Sequence, residues 1–213
     1  MAQTTERIMS PRRAELVAAA TRLFSQRGYH GTSMKDLADS LGMLKGSLYA
    51  HIGSKEELLY DVVADGAERF LTRAHAAAAL EGSASERLEA FLVGHIETAI
   101  EHLDAATVFL NEWRYLSDDL RADVQGKRDI YEGFVRAIVI DGISSGEFRS
   151  DADVAMTARL VLSAGNWVYA WYRPDGSLSS TEIGHRYTEL IVRGLKSNQA
   201  KNPADAGNAE VAE

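Results

Sequence analysis

From Thr32 to Leu59 the sequence TSMKDLADSLGMLKGSLYAHIGSKEELL leaves the backbone few options. It reads as two short helices joined by a tight turn, with a third helix starting directly behind them. Ser33 stands three residues before Asp36, a capping-box-like pairing that opens the first helix. Leu37, Ala38 and Leu41 fall on one face of that helix, and Gly42 supplies a residue that turns left-handed after it. The second helix, from about Leu44 to Ala50, carries Lys45, Gly46, Ser47 and Tyr49 on a surface without an acid. Such a helix suits a DNA major groove. Gly46 lets the backbone approach, the cation reaches bases or phosphate, and hydroxyls bond phosphate oxygens. Ser54, Lys55, Glu56 and Glu57 start the next helix, whose free N–H groups and Lys55 are suited to hold a phosphate. Lys45, Ser47 and Tyr49 are the expected groove contacts. Thr32, Lys35, His51 and Lys55 are expected to hold phosphate, and Ser33 and Gly46 complete the DNA-binding set.

The formal charge of −8 argues against a general nucleic-acid binder, but the average hides an asymmetry. Residues 1–52 hold seven Lys/Arg against four Asp/Glu, whereas residues 53–213 hold 16 against 27. A mildly basic head on an acidic body directs phosphate attraction to the head alone. Zero Cys excludes disulfides and thiolate metal sites and fits a reducing cytoplasm. No apolar run approaches the roughly 20 residues that span a bilayer, and the N-terminus lacks a signal-peptide core. No membrane partner is expected.

Helical spacing of Leu16, Ala19, Ala20, Leu23 and Phe24 gives a first helix over about 11–27 that ends at Gly28. Arg7, Arg12 and Arg13 before and within it could form a short arm toward DNA. A long helix follows from about Ser54 to Leu80, then another that Ser83 and Glu86 open. Helical stretches continue around ATVFLNEWRYL, over 118–144, from about Asp153 to Tyr172, and from Ile183 to Leu195. No segment alternates as a strand. The chain is expected to be all-α: a three-helix helix-turn-helix head over 1–53, a helical ligand-binding and dimerisation body over 54–197, and a tail over 198–213 without apolar period.

The head resembles the N-terminal DNA-binding domain of tetracycline-repressor-type (TetR family) transcriptional regulators. Ala20, Leu23, Phe24, Gly28, Tyr29, Thr32, Leu37, Ala38, Gly42, Gly46, Leu48, Tyr49, Lys55, Leu58 and Leu59 carry the resemblance at fixed spacing. Leu44 stands where that family usually has a capping Ser or Thr, and Ile52 where it usually has Phe. NW…WYRPDGSLS and EWRYL resemble the bodies of members that sense acyl-CoA thioesters, although Ala170 replaces an Arg common there. The resemblance implies a homodimer on a palindromic double-stranded DNA operator, released by a small-molecule effector.

In the body, Ala155, Ala158, Leu162, Ala164 and Gly165 permit close helix approach, and Ile183, Tyr187, Leu190, Ile191 and Gly194 offer a matching face. Leu162 and those five residues are the expected dimer interface, a four-helix packing across a two-fold axis. All three Trp lie in FLNEWRYL and GNWVYAWYRPDG, so Phe109, Trp113, Tyr131, Asn166, Trp167 and Tyr169 are the expected pocket, with Arg173 as the cation for a CoA phosphate. The same aromatics read equally well as ordinary core. His95 and His102 stand seven apart, whereas metal ligands on one helix usually sit three or four apart, and no nucleophile elbow or phosphate loop appears. Neither a metal, a cofactor nor an enzymatic activity is expected. The reading is a ligand-responsive repressor; the alternative is a helical ligand-sequestering or interaction protein without promoter regulation.

Overall fold

The computed structural model describes residues 10–196, built from helices α1 (Pro11–Arg27), α2 (Met34–Ser40), α3 (Lys45–Tyr49), α4 (Lys55–Ala78), α5 (Ala84–Glu101), α6 (Leu103–Asn111), α7 (Asp118–Ser144), α8 (Val154–Asn166), α9 (Val168–Trp171) and α10 (Ser180–Leu195). A 3-10 turn, Trp113–Tyr115, joins α6 to α7. Among the described residues the β pairing is a single bridge between Phe148 and Lys196. The fold is all-α, as the periodicities require. Arg7 and the tail over 198–213 lie outside the described residues.

Local chemistry explains most helix ends. Ser10 caps α1, with Pro11 at its first position, and Gly28 ends it at φ 73°, where its N–H bonds the Phe24 carbonyl. That left-handed conformation suits a residue without a Cβ. Ser33 and Asp36 form the expected reciprocal capping box on α2, as do Ser83 and Glu86 on α5 and Ser179 and Glu182 on α10. Leu44 offers α3 no side-chain cap, and α3 is only five residues long.

Two apolar clusters organise the molecule. The first joins Leu16, Ala20 and Phe24 of α1 to Leu37, Leu48 and Ile52, and continues through Leu58, Leu59, Val62 and Val63 of α4 into Val108 and Phe109 of α6. Head and body therefore share one core at the expected 53/54 boundary. The second packs Leu88, Phe91, Leu92 and Ile96 of α5 against Val135, Ile138 and Val139 of α7, Ala158 and Val161 of α8, and Ile183 and Val192 of α10. At the α5–α10 crossing, a Cβ on Gly184 would stand 2.6 Å from Val93 Cγ2, so the glycine permits this close approach.

The structure departs from the expected helix over 153–172. It breaks after Asn166, and α9 resumes with Val168 fully buried while Trp167 is 64% exposed. The Tyr169 hydroxyl meets Asn111 on α6, whose amide donates to it at 3.1 Å. Tertiary contacts by Val168 and Tyr169 thus outweigh the helical propensity of an uninterrupted apolar segment.

Ile183 faces inward, only 2% exposed, and leaves the expected dimer face because α10 buries this side against α5. Leu162 packs on the second cluster and lines a cavity in the body, and Tyr187 and Ile191 are half-buried against the same cluster. Leu190, 68% exposed, and Gly194 point outward, and Met156 and Leu160 on α8 with Trp167 just after it are exposed apolar residues.

Candidate nucleic-acid interface and effector cavity

On α3, Leu48 is fully buried and fastens the helix to the head, while Lys45, Gly46, Ser47 and Tyr49 are exposed. This arrangement follows from a five-residue helix with one apolar anchor: every other side chain must point away from the core. The exposed surface of α3 carries a cation, two hydroxyls and a glycine, and no carboxylate. A negatively charged groove meets no like charge there. Lys35 on α2 and His51 after α3 are exposed as well.

Lys55 sits in the first turn of α4 with Nζ 4.2 Å from the centroid of the Tyr29 ring. Burial lowers its pKa from the ordinary value, offset in part by Asp36. Burial and the helix start both oppose its charge, and the face of Tyr29 offsets part of that cost. Ser33 spends its hydroxyl in the capping box but remains on the surface.

Thr32 is a correction. It is 1% exposed, and its hydroxyl donates to the carbonyls of Gly28 at 3.0 Å and Leu23 at 3.2 Å. These carbonyls lie in the last turn of α1 and just after it, so Thr32 secures the α1–α2 turn and its hydroxyl is directed inward. Arg13 also turns inward: Nε donates to Asp61 at 2.7 Å, Nη2 to Glu57 at 2.5 Å and Nη1 to the His51 carbonyl at 3.3 Å. It ties α1 to α4. Arg12 pairs with Glu15 instead of extending as an arm.

In the body, a cavity of about 280 Å³ lies between α4, α5, α6, α7 and α8. Phe70, Phe109, Leu110, Trp113 and Leu162 supply its apolar wall; His95, Arg128, Tyr131 and Asn166 are polar points in it, and Gln125, Asp129 and Glu132 of α7 also line it. Phe70 stacks on Phe109 with centroids 5.5 Å apart, and His95 lies 5.0 Å from Phe70. The Arg128 guanidinium rests over the rings of Phe109 at 5.2 Å and Trp113 at 5.0 Å. His95 Nδ1 is 2.8 Å from the Tyr131 hydroxyl. Burial drops the His95 pKa from 6.5 to about 4, with Asn166 pulling weakly the other way, so the ring is neutral near pH 7. Asn166 nevertheless forms no hydrogen bond of adequate geometry with Nε2. A wider surface cleft of about 600 Å³ between α1, α4 and the α5–α6 junction holds Arg69, already paired with Asp65 at 3.0 Å.

Four expected pocket residues, Phe109, Trp113, Tyr131 and Asn166, come together at this cavity. Trp167 does not, because it points outward just after α8. Tyr169 packs beside the cavity through Asn111 and Trp167 without lining it, and Arg173 is exposed in the loop after α9. Phe70, His95 and Arg128 carry more of the site than the sequence indicated. They lie on three different helices, and the distances between them depend on how those helices pack. Among the described residues no group of three or more metal-binding side chains converges; His102 faces Arg69 at 3.3 Å. No described helix is long and apolar enough to cross a membrane.

Known proteins bear on this combination of head and cavity. Residues 16–62 match the family model described as bacterial regulatory proteins, tetR family, and residues 81–195 match the tetracyclin repressor-like C-terminal domain. The chain belongs to the tetR family of bacterial regulatory proteins. It is 32% identical over 207 residues to the HTH-type transcriptional repressor KstR2 of Mycolicibacterium smegmatis, covering 96% of this chain and 100% of that one. The structure of the ketosteroid transcriptional regulator KstR2 of Mycobacterium tuberculosis superposes with a TM-score of 0.81 at 26% identity, covering 89% of this chain and 97% of that one. AibR, solved in complex with isovaleryl coenzyme A and operator DNA, superposes with a TM-score of 0.78 at 27% identity, covering 84% and 97%.

Thr32→Val should cost about 1–2 kcal/mol in urea unfolding, because the carbonyls of Leu23 and Gly28 lose the hydroxyl. The salt dependence of DNA binding should stay that of the parent, whereas Lys55→Ala should weaken it. A lower salt slope in Thr32→Val would return the residue to the phosphate-binding set. The depressed His95 pKa makes a second prediction. The unfolded chain takes up the proton first, so stability is full above about pH 6.5 and falls as pH drops toward 4, by up to about 3 kcal/mol. His95→Gln should flatten that part of the stability–pH curve; an unchanged curve would show that His95 is not the group responsible.

Proposed function

We propose that this chain is a dimeric repressor that reads a palindromic operator through paired α3 helices and releases it when an acyl-CoA thioester occupies the body cavity. The observation that carries this reading is the segment Glu112–Ser117, which lines the cavity with one residue, grips the head with two and the first turn of α4 with a fourth. Trp113 faces the cavity. Next to it, a Glu112 carboxylate oxygen accepts the Tyr29 N–H at 2.6 Å. The Tyr115 ring stacks on Tyr29 with centroids 6.1 Å apart and meets His30 edge-on at 4.4 Å. The Ser117 N–H donates to Glu56 at 2.6 Å, at the start of α4, and holds that carboxylate's pKa below its ordinary value.

A ligand that displaces Trp113 therefore moves groups bonded to the α1–α2 turn and to the first turn of α4. Those two points set the orientation of α3. The effect needs unequal affinity of the ligand for the two head orientations: a tenfold loss of operator binding corresponds to about 1.4 kcal/mol of coupling. The names of KstR2 as a repressor and of AibR as a complex with isovaleryl coenzyme A and operator DNA support the same reading. Dimerisation is supported by the exposed apolar residues Met156, Leu160, Trp167 and Leu190. Paired heads are what a two-fold operator with half-sites about 34–36 Å apart requires.

Leu190→Glu should leave the monomer folded, since the side chain is 68% exposed in the single chain, and should abolish palindromic operator binding. A variant that still sediments as a dimer would remove Leu190 from the interface. The effector is tested by titrating medium-chain, aromatic and steroid-derived CoA thioesters into a preformed protein–operator complex, against free CoA and the free acids. Thioesters should release DNA and the controls should not; Glu112→Gln should bind thioester yet release DNA less. Equal release by the free acids would end the CoA assignment, and a head that binds no DNA from its genetic neighbourhood would favour a ligand-sequestering protein.

A further inference from the structure

Two buried nitrogens in the body cavity have no acceptor. Arg128 Nη1 is enclosed and makes no hydrogen bond, and His95 Nε2 makes none either. Both residues line the cavity, and His95 is only 2% exposed. Arg128 is also without a carboxylate within ion-pair range among the described residues. The two acids on its side of the cavity are engaged elsewhere: Glu132 accepts from Arg136 at 2.8 Å, and Asp129 accepts from Gln125 at 2.7 Å. Its neighbours are the faces of Phe109 and Trp113, which offset part of the charge but accept no directed hydrogen bond at Nη1.

The proton on His95 follows from its neighbour. The buried Tyr131 hydroxyl has His95 Nδ1, at 2.8 Å, as its hydrogen-bond partner. The phenol satisfies its own proton by donating, and that places the ring proton on Nε2. Nε2 is then a donor, like Arg128 Nη1. Asn166, Asp129 and Glu132 also line the cavity, but none of their oxygens bonds either nitrogen, so both donors are left for an oxygen of a ligand.

We propose that the cavity recognises a ligand with an apolar frame and a carboxyl-derived oxygen, either a carboxylate or a thioester carbonyl, held by Arg128 Nη1 and His95 Nε2. The proposal rests on the effector reading above only in placing the ligand in this cavity. The frame stacks between Phe70, Phe109 and Trp113, and the oxygen takes the donors. Arg128 contributes the larger part, because a hydrogen bond from a cation is roughly twice as strong as one between neutral groups.

Calorimetric titration with 3-phenylpropanoate, 3-phenylpropanol and 3-phenylpropanoyl-CoA tests this on the full chain. The acid or the thioester should bind at least about tenfold tighter than the alcohol, equivalent to about 1.4 kcal/mol. Arg128→Met should erase that preference and Arg128→Lys should keep part of it; should the Met variant fail to fold, Arg128→Gln serves in its place. Arg128-dependent binding of the acid identifies a carboxylate as the acceptor, and of the thioester alone, its carbonyl. Equal binding of acid, thioester and alcohol, no binding by any of the three, or a preference that survives loss of the guanidinium would overturn the proposal. Thioester release of operator DNA that persists in Arg128→Met would leave the effector reading standing without it. Arg128-dependent binding that never releases DNA would do the reverse.

Discussion

Helix α4 belongs to two structures at once, and the rest of the molecule depends on that. Its first turns bury Leu58, Leu59, Val62 and Val63 in the core that also holds α1, α2 and α3. Further along, Phe70 stands on the body cavity and Ala74 and Ala77 enter the second core. A helix of 24 residues is about 36 Å long by its rise per residue, so one element reaches from the helix-turn-helix head to the body cavity. Arg13 strengthens the near end by joining α1 to Asp61 and Glu57 at hydrogen-bond distance. An ion pair this shielded from water loses more when one partner is removed than an exposed pair would.

Under the proposed function, the shared core is the route by which a small cavity would influence a distant surface. Packed side chains rearrange between discrete states instead of yielding gradually. Segment Glu112–Ser117 meets α4 and the α1–α2 turn through directed hydrogen bonds, which fix distance and angle more tightly than apolar contact alone. The chemistry of the cavity is separate from this linkage. Arg128 and Tyr131 stand on α7, His95 on α5 and Phe109 on α6, so the cavity lining comes from three helices that meet at one point.

Much of this was legible in the order of residues. Ser33 with Asp36, Ser83 with Glu86, and Gly28 marked helix ends that the structure places at the same positions, because caps depend on neighbours within one turn. The outward residues of α3 were legible too, since a five-residue helix with Leu48 as its buried anchor leaves little choice about the remainder. Thr32 was misjudged for the opposite reason. A Thr before a helix reads as a surface hydroxyl, and only the approach of the α1 terminus supplies Leu23 and Gly28 carbonyls that draw it inward.

The aromatic segments show where sequence stops. Trp113 and Trp167 look alike as pocket candidates, yet one lines the cavity and the other faces out, because the break after Asn166 rotates Val168 into the core. Ile183 and Leu190 share an apolar stripe on α10, and the crossing at Gly184 decides that the first is buried and the second is not. By itself the sequence determined most of the helices, the helix-turn-helix head and its acid-free face, all products of spacing and of capping within a few residues. Tertiary structure alone decided that Arg128 and His95, 33 positions apart, share one cavity with no acceptor for either, because their separation depends on how α5 and α7 pack.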